Sequence, residues 1–203
     1  MASFSEFTAI ISTSAQSTDA ITWAGTAFAI VYVILAMRLS RWCWIAGTIS
    51  SLLFVFIYIK ANLYYEAVLN LVYAALGVYG WISWRNRTNE DDAKIHSVSF
   101  RALASGIIAS TAAGIILGSA AHYFLKVEFA YADALLSTFS IFATVLTARK
   151  ILENWIFWIL IDALSSYVYF LKGPSMYLVG LLFIFYTFMA LSGYISWKKK
   201  LKV

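Results

Sequence analysis

Residues 154 to 162 read NWIFWILID, and within them Trp155, Trp158 and Asp162 fall three and four positions apart. That spacing puts two indoles and a carboxylate on one face of a helix, and Ser165, Ser166 and Tyr169 continue the face. Indole rings stack on flat heteroaromatic rings and attract positive charge. A carboxylate held away from water binds a cation or a hydrogen-bond donor more strongly than one in water. The chemistry offered is recognition of a small, planar, cationic molecule. No histidine accompanies Asp162 at similar depth, so acid–base catalysis has no partner group and the chain reads as a non-enzyme.

Two more stretches carry polar residues at helical spacing. Asn70, Tyr73, Gly77, Trp81 and Trp84 form one stripe; Ser137, Ser140, Thr144 and Thr147 form another. The candidate ligand contacts are therefore Trp155, Trp158, Asp162, Asn70, Tyr73, Trp81, Thr144, Ser140, Ser166 and Tyr169. Each has a plainer reading. Hydroxyls in apolar helices commonly bond their own backbone, so the Ser/Thr stripe reads first as packing, and Asn70 equally suits a bond to another helix. Trp84 and Trp197 close their segments next to basic residues and are expected in the aromatic belt at a membrane surface. For Trp42, Trp44 and Trp155, belt and binding roles both stay open.

The elements that carry these faces follow from composition. Of 203 residues 62% are apolar and only 12% charged, which places the chain in a bilayer. A hydrocarbon core ~30 Å thick needs about 20 apolar residues per helix. The sequence supplies seven such segments, at about 21–37, 42–59, 64–84, 102–124, 129–148, 154–171 and 175–197. Residues 1–20 lack the basic start and long apolar run of a signal peptide and read as a short polar or interfacial lead-in. Residues 21–203 read as a single membrane transport domain. Cys43 has no second cysteine to pair with, and His96 and His122 sit in different segments without ligand spacing, so neither metal nor cofactor is expected.

Counting loops alternately, Arg38, Arg41, Arg85, Arg87, Lys94, Arg101, Arg149, Lys150, Lys198, Lys199, Lys200 and Lys202 fall on one side, and Lys60, Lys126 and Lys172 on the other. Twelve against three puts the N-terminus outside and the C-terminus in the cytoplasm. The basic residues then report topology and contact with anionic lipid, and nucleic acid is not an expected partner.

YGWISWR at 79–85 and SGYISWK at 192–198 end their segments alike, and each is preceded by a basic pair, a tryptophan-led span and a short break. An all-α integral membrane fold of two parallel three-helix repeats, 21–84 and 129–197, joined by a linking helix at 102–124, is the expected architecture. Such repeats bind substrate near the midplane between the halves. Gly106, Ser110, Gly114 and Gly118 give the linking helix a small-residue stripe for close packing.

Along nearly its whole length, from about Trp23 onward, the chain resembles the PnuC family of bacterial vitamin transporters. The likeness is carried by LYYEAVLNLVY at 63–73, the YGW and W pattern at 79–84, ENWIFWILID at 153–162 and YFLKG at 169–173. The resemblance implies a SWEET-like 3+1+3 arrangement in the bacterial inner membrane, assembly as a homotrimer, and facilitated diffusion of a vitamin or precursor. It also implies metabolic trapping by a cytoplasmic vitamin kinase that acts downstream without stable contact. In members that carry nicotinamide riboside it implies a site lined by the tryptophans of WxxW, an amide or acid four residues on, and an asparagine on the third span. Those positions are Trp155, Trp158, Asp162 and Asn70 here. Where such members often have glutamine, this chain has Thr144. On that departure the expected substrate leans to thiamine, a flat cation whose aminopyrimidine donors suit a carboxylate, with nicotinamide riboside the alternative and riboflavin behind both. A retinal protein is disfavoured because 175–197 holds no lysine, and an ATP-driven pump because no GxxxxGK[ST] loop occurs. A non-transporting scaffold or sensor is the competing class, and it requires a protein partner for Asp162.

Overall fold

In lipid every backbone N–H and C=O must be satisfied within the protein, which leaves helices as the only open-ended way for these apolar segments to cross. The structure is a computed structural model that describes residues 4–85 and 94–201. Eight α-helices occur among the described residues: α1 (Phe4–Ser17), α2 (Ala20–Met37), α3 (Trp42–Lys60), α4 (Tyr64–Arg85), α5 (Phe100–Ala120), α6 (Ala130–Ala148), α7 (Asn154–Leu171) and α8 (Tyr177–Leu201). The last seven are long and apolar enough to span a membrane. Their bounds lie close to those expected. One difference is α1, a helix where only a lead-in was anticipated; its Phe7 ring lies 5.6 Å from that of Tyr177 at the start of α8. The other is α8, which continues to Leu201 on lysines whose stems suit an interface.

Local chemistry sets the ends. Asp19 caps α2 by accepting the Thr22 backbone N–H at 2.6 Å, and that bond holds its carboxyl below the usual carboxylate range. The turn after α2 places Leu39 at φ 60°, and the turn after α6 places Lys150 at φ 57°. In each the next N–H reaches back five residues: Ser40 to the Leu35 carbonyl at 2.9 Å, Ile151 to the Leu146 carbonyl at 3.0 Å. These reach-back bonds satisfy carbonyls that a helix end otherwise leaves open.

Packing runs α2 on α3, α3 on α4, α4 on α6, α6 on α7, α7 on α8 and α8 back on α2, a closed ring of six helices. Outside it, α5 packs on α6. Its small-residue stripe makes this possible, because Gly106 lies under the Phe142 ring and Gly118 against Tyr131, while the Ser110 carbonyl accepts Thr138 Oγ1 at 2.9 Å. The packing reading of that stripe holds. The segment before α5 is tied to the α6–α7 turn by His96 N–H to the Lys150 carbonyl (3.2 Å) and Leu152 N–H to the His96 carbonyl (2.9 Å).

One expectation is overturned at the seam of the ring. Trp84 and Trp197 are not belt residues: they are 7% and 0% exposed. Trp84 Nε1 donates to the Ala148 carbonyl at 3.0 Å and Trp197 Nε1 to the Ala36 carbonyl at 3.1 Å. Their serine neighbours add Ser83 Oγ to Ala148 (3.0 Å) and Ser196 Oγ to Met37 (3.2 Å). The physical reason is that carbonyls near the ends of α2 and α6 keep acceptor capacity that their helices do not use, Ala148 with no backbone donor among the described residues and Ala36 with the Leu39 N–H alone, and an indole supplies a donor while filling space. Trp44 lies against Gly80 and Trp155 against Gly193, where any side chain would collide with the indole. The four tryptophans form one core with Cys43, Ala36, Ala148 and Ala190. Trp42, by contrast, is 55% exposed, and its ring and the Arg41 guanidinium pack on Trp81.

These bonds bring the basic turns after α2 and α6 and the basic ends of α4 and α8 to the same end of the bundle. Arg87 and Lys202, which belong to the charge pattern, lie outside the described residues. Replacing Trp197 by Phe keeps a six-membered ring but removes one buried donor and the volume of the indole's five-membered ring. It is expected to cost about 2 kcal/mol and lower the melting temperature in detergent by about 4–8 °C, measured by tryptophan fluorescence. Gly193→Val is expected to lower it well beyond that, because the Trp155 ring occupies the space.

Candidate ligand-binding site

α7 carries the face that the sequence singled out, and it points into a cavity of about 180 Å³. Trp155, Trp158 and Asp162 line it from α7, Thr147 from α6, Ala29, Tyr32, Val33 and Ala36 from α2, and Phe183, Tyr186 and Ala190 from α8. The cavity begins at the tryptophan core, to which Ala36, Trp155 and Ala190 belong, and extends to Asp162 in the middle of α7.

Asp162 is 5% exposed, and among the described residues no basic side chain or hydrogen-bond donor engages its carboxylate. Tyr186 of α8 is its polar neighbour. Around the tryptophan end runs a small polar chain. Thr147 Oγ1 donates to the Ala143 carbonyl at 2.9 Å and lies 3.1 Å from Asn154 Oδ1, the Trp158 Nε1–H points to Thr147 Oγ1 at 3.4 Å, and Tyr32 approaches the same hydroxyl from α2. Trp155 is 3% exposed, and its Nε1–H has no acceptor among the described residues. The walls thus offer two indoles, two phenol rings and one carboxylate unpaired among the described residues, a set suited to a flat cation.

Three of the ten expected contacts line this cavity: Trp155, Trp158 and Asp162. The other seven sit elsewhere. Asn70 Nδ2 donates to the Glu66 carbonyl of its own helix at 2.9 Å. Tyr73 reaches Ser140 across the α4–α6 contact, and Trp81 stacks near Trp42 at the basic end. Ser140 Oγ donates to the Leu136 carbonyl and Thr144 Oγ1 to the Ser140 carbonyl, each at 2.8 Å, as the packing reading anticipates. Ser166 is buried away from the cavity lining. Tyr169 stacks on Phe183 at 5.3 Å and takes Lys172 over its ring at 4.9 Å, so it backs a wall residue without lining the wall itself.

Sequence reasoning missed Tyr32, Phe183 and Tyr186. The signal for the two tyrosines was a phenol hydroxyl in a largely apolar span, which must find a partner when buried. Phe183 carried no signal.

The bundle and its chamber define the class: a multi-pass membrane protein with a cavity of small-molecule size between its helices. The family model described as nicotinamide mononucleotide transporter matches residues 19–199. The nicotinamide riboside transporter PnuC of Escherichia coli strain K12 is 24% identical, covering 74% of this chain and 73% of that one. The riboflavin/roseoflavin transporter RibM of Streptomyces davaonensis is 27% identical, covering 85% and 82%. A crystal structure of the vitamin B3 transporter PnuC superposes with a TM-score of 0.72 at 21% identity, covering 97% of this chain and 90% of that one. The chain belongs to the PnuC family of vitamin transporters and is a multi-pass protein of the bacterial inner membrane.

Removing the unpaired carboxylate tests the site. Asp162→Ala is expected to weaken binding of a cationic ligand by about 2 kcal/mol, roughly thirtyfold. Asp19→Ala, at the exposed cap of α2, is expected to leave affinity unchanged. Both are read by tryptophan-fluorescence titration, and equal affinities would remove Asp162 from the site.

Proposed function

We propose that the protein takes up nicotinamide riboside across the inner membrane by facilitated diffusion. The observation that carries this reading is the mid-helix Asp162 carboxylate, without a partner among the described residues and sharing a cavity with Trp155 and Trp158. A pyridinium ring beside the indoles supplies the missing positive charge, and its carboxamide meets the Tyr186 hydroxyl. The relatives' names support the substrate, since nicotinamide riboside is named for the Escherichia coli protein.

The lean to thiamine rested on Thr144 in place of an amide and on aminopyrimidine donors that suit a carboxylate. Thr144 lies outside the cavity lining with its hydroxyl spent on its own backbone, and neither relative named above carries thiamine in its name. Riboflavin is named for the Streptomyces protein, yet about 180 Å³ is small beside the roughly 300–1,000 Å³ of ordinary ligand pockets and suits one heteroaromatic ring better than three fused ones.

The two-repeat arrangement belongs to the same proposal. Repeat one comprises α2 to α4 and repeat two α6 to α8, with α5 linking them. The like bonds of Trp84 and Trp197 onto the opposite repeat's helix ends support it. With the basic end in the cytoplasm, the N-terminus is outside and the C-terminus inside. Assembly as a homotrimer and trapping by a cytoplasmic kinase rest on the family resemblance. Alternating access is rocking of the repeats about the tryptophan seam.

Liposomes containing the purified protein are expected to take up labelled nicotinamide riboside saturably. Unlabelled thiamine is expected to compete weakly and riboflavin hardly at all. Absence of saturable uptake of all three would overturn the transport reading and favour a scaffold or sensor.

A further inference from the structure

The cavity is one-sided, and its one-sidedness has a local cause in α3. Trp44 and Trp155 hold like places: each is buried near the start of its helix, each lies against a glycine of the following helix (Gly80 and Gly193), and each keeps an indole N–H without an acceptor among the described residues. Three residues after Trp155 comes Trp158, a wall of the cavity. Three residues after Trp44 comes Gly47. The space that a side chain at 47 would use is filled by the ring of Tyr32. A Cβ built on Gly47 would stand 2.9 Å from Tyr32 Cδ2 and 3.4 Å from Cε2 and Cγ. Tyr32 is held in that position from its other faces too, edge-on to Trp44 with centroids 5.8 Å apart and with its hydroxyl near Thr147. Its exposed side is the α2 wall of the cavity.

We propose that Gly47 is a specificity-determining positioning residue: by lacking a side chain it lets the Tyr32 ring lie back against α3, and so sets the width of the ligand cavity. A methyl at 47 is closer than real Cβ atoms approach a ring, so the ring must move. Trp44 and α3 block two directions, which leaves the cavity as the open one. Gly47 touches no ligand itself; it acts through Tyr32. The inference rests on the cavity being the vitamin site.

The test is a double-mutant cycle on the purified full-length protein: wild type, Gly47→Ala, Tyr32→Ala and the double variant. Each is titrated with nicotinamide riboside and with N-methylnicotinamide, which carries the same ring without the ribose, using tryptophan fluorescence. Gly47→Ala is expected to weaken nicotinamide riboside binding on the order of tenfold. The loss for the smaller N-methylnicotinamide is expected to be clearly less. In the Tyr32→Ala background, where no ring is left to displace, adding Gly47→Ala is expected to change neither affinity by more than about twofold. An equal loss in both backgrounds, an equal loss for both ligands, or no loss at all in Gly47→Ala would each overturn the assignment. If the wild type binds while Gly47→Ala behaves like it, only this inference falls. If the wild type binds neither ligand, the nicotinamide riboside reading falls and takes this one with it.

Discussion

Helices in a bilayer gain little from hiding apolar surface against one another, since lipid is as apolar as the side chains it would replace. What holds this ring closed is the pairing of two indole N–H groups with the last carbonyls of two helices, Trp84 with Ala148 and Trp197 with Ala36. A carbonyl at a helix end has no partner of its own helix, and leaving it unpaired in hydrocarbon costs several kcal/mol. The Ala148 carbonyl receives no backbone N–H among the described residues and takes its donors from Trp84 and Ser83, whereas the Ala36 carbonyl already accepts the Leu39 N–H at 2.9 Å and takes the Trp197 indole as a second donor. Between them they fix α4 onto α6 and α8 onto α2, the two contacts that turn rows of neighbouring helices into a ring. Trp155 and Ala36 belong both to this core and to the wall of the cavity, so the ligand chamber is built directly on the seam.

The seam also explains where close packing is concentrated. Gly80 and Gly193 are needed because the Trp44 and Trp155 indoles, edge-on to Trp84 and Trp197, lie against those positions, and a Cβ in either place meets the ring. The outer faces are under no such demand. Leu160, Leu164 and Tyr167 of α7 and Phe188 and Leu191 of α8 stay exposed to whatever surrounds the bundle, as suits side chains in contact with lipid.

Helix number and bounds were legible because length and charge decide them: an apolar run long enough to cross must be helical, and Arg, Lys, Gly and Pro mark where it stops. The α7 face was legible because Asp162 is too costly to point at lipid, and spacing then carries Trp155 and Trp158 along with it. The roles of Trp84 and Trp197 were not. A tryptophan next to basic residues at the end of a span reads as an interface anchor, and only the placement of α2 and α6 shows that a carbonyl waits opposite each one. The α4 stripe misled for a related reason. Asn70 and the α6 hydroxyls can satisfy themselves on their own backbone, so polarity at helical spacing did not mean a shared chamber. The α2 and α8 walls were invisible because those helices are apolar on every side, and which side faces inward is set by neighbours rather than by pattern.

The other acids show what distinguishes Asp162. Asp133, at the start of α6, has Lys172 at 2.7 and 2.8 Å. Glu153, just before α7, receives Ser97 Oγ and the Val98 N–H, and Asp19 receives the Thr22 N–H. All three sit at helix ends, where free backbone donors, flexible lysines and water are within reach, so their charges cost little. Asp162 sits mid-helix, where every backbone N–H is already committed to the helix, and no side chain among the described residues supplies the missing donor. A sequence selected only for a stable bundle has a simple remedy at that place, an apolar residue of similar size, since a well-packed hydrophobe matches or exceeds a buried charge in stability. Retaining the carboxylate, and surrounding it with indoles and phenols, makes sense when its partner arrives from outside the chain and departs again.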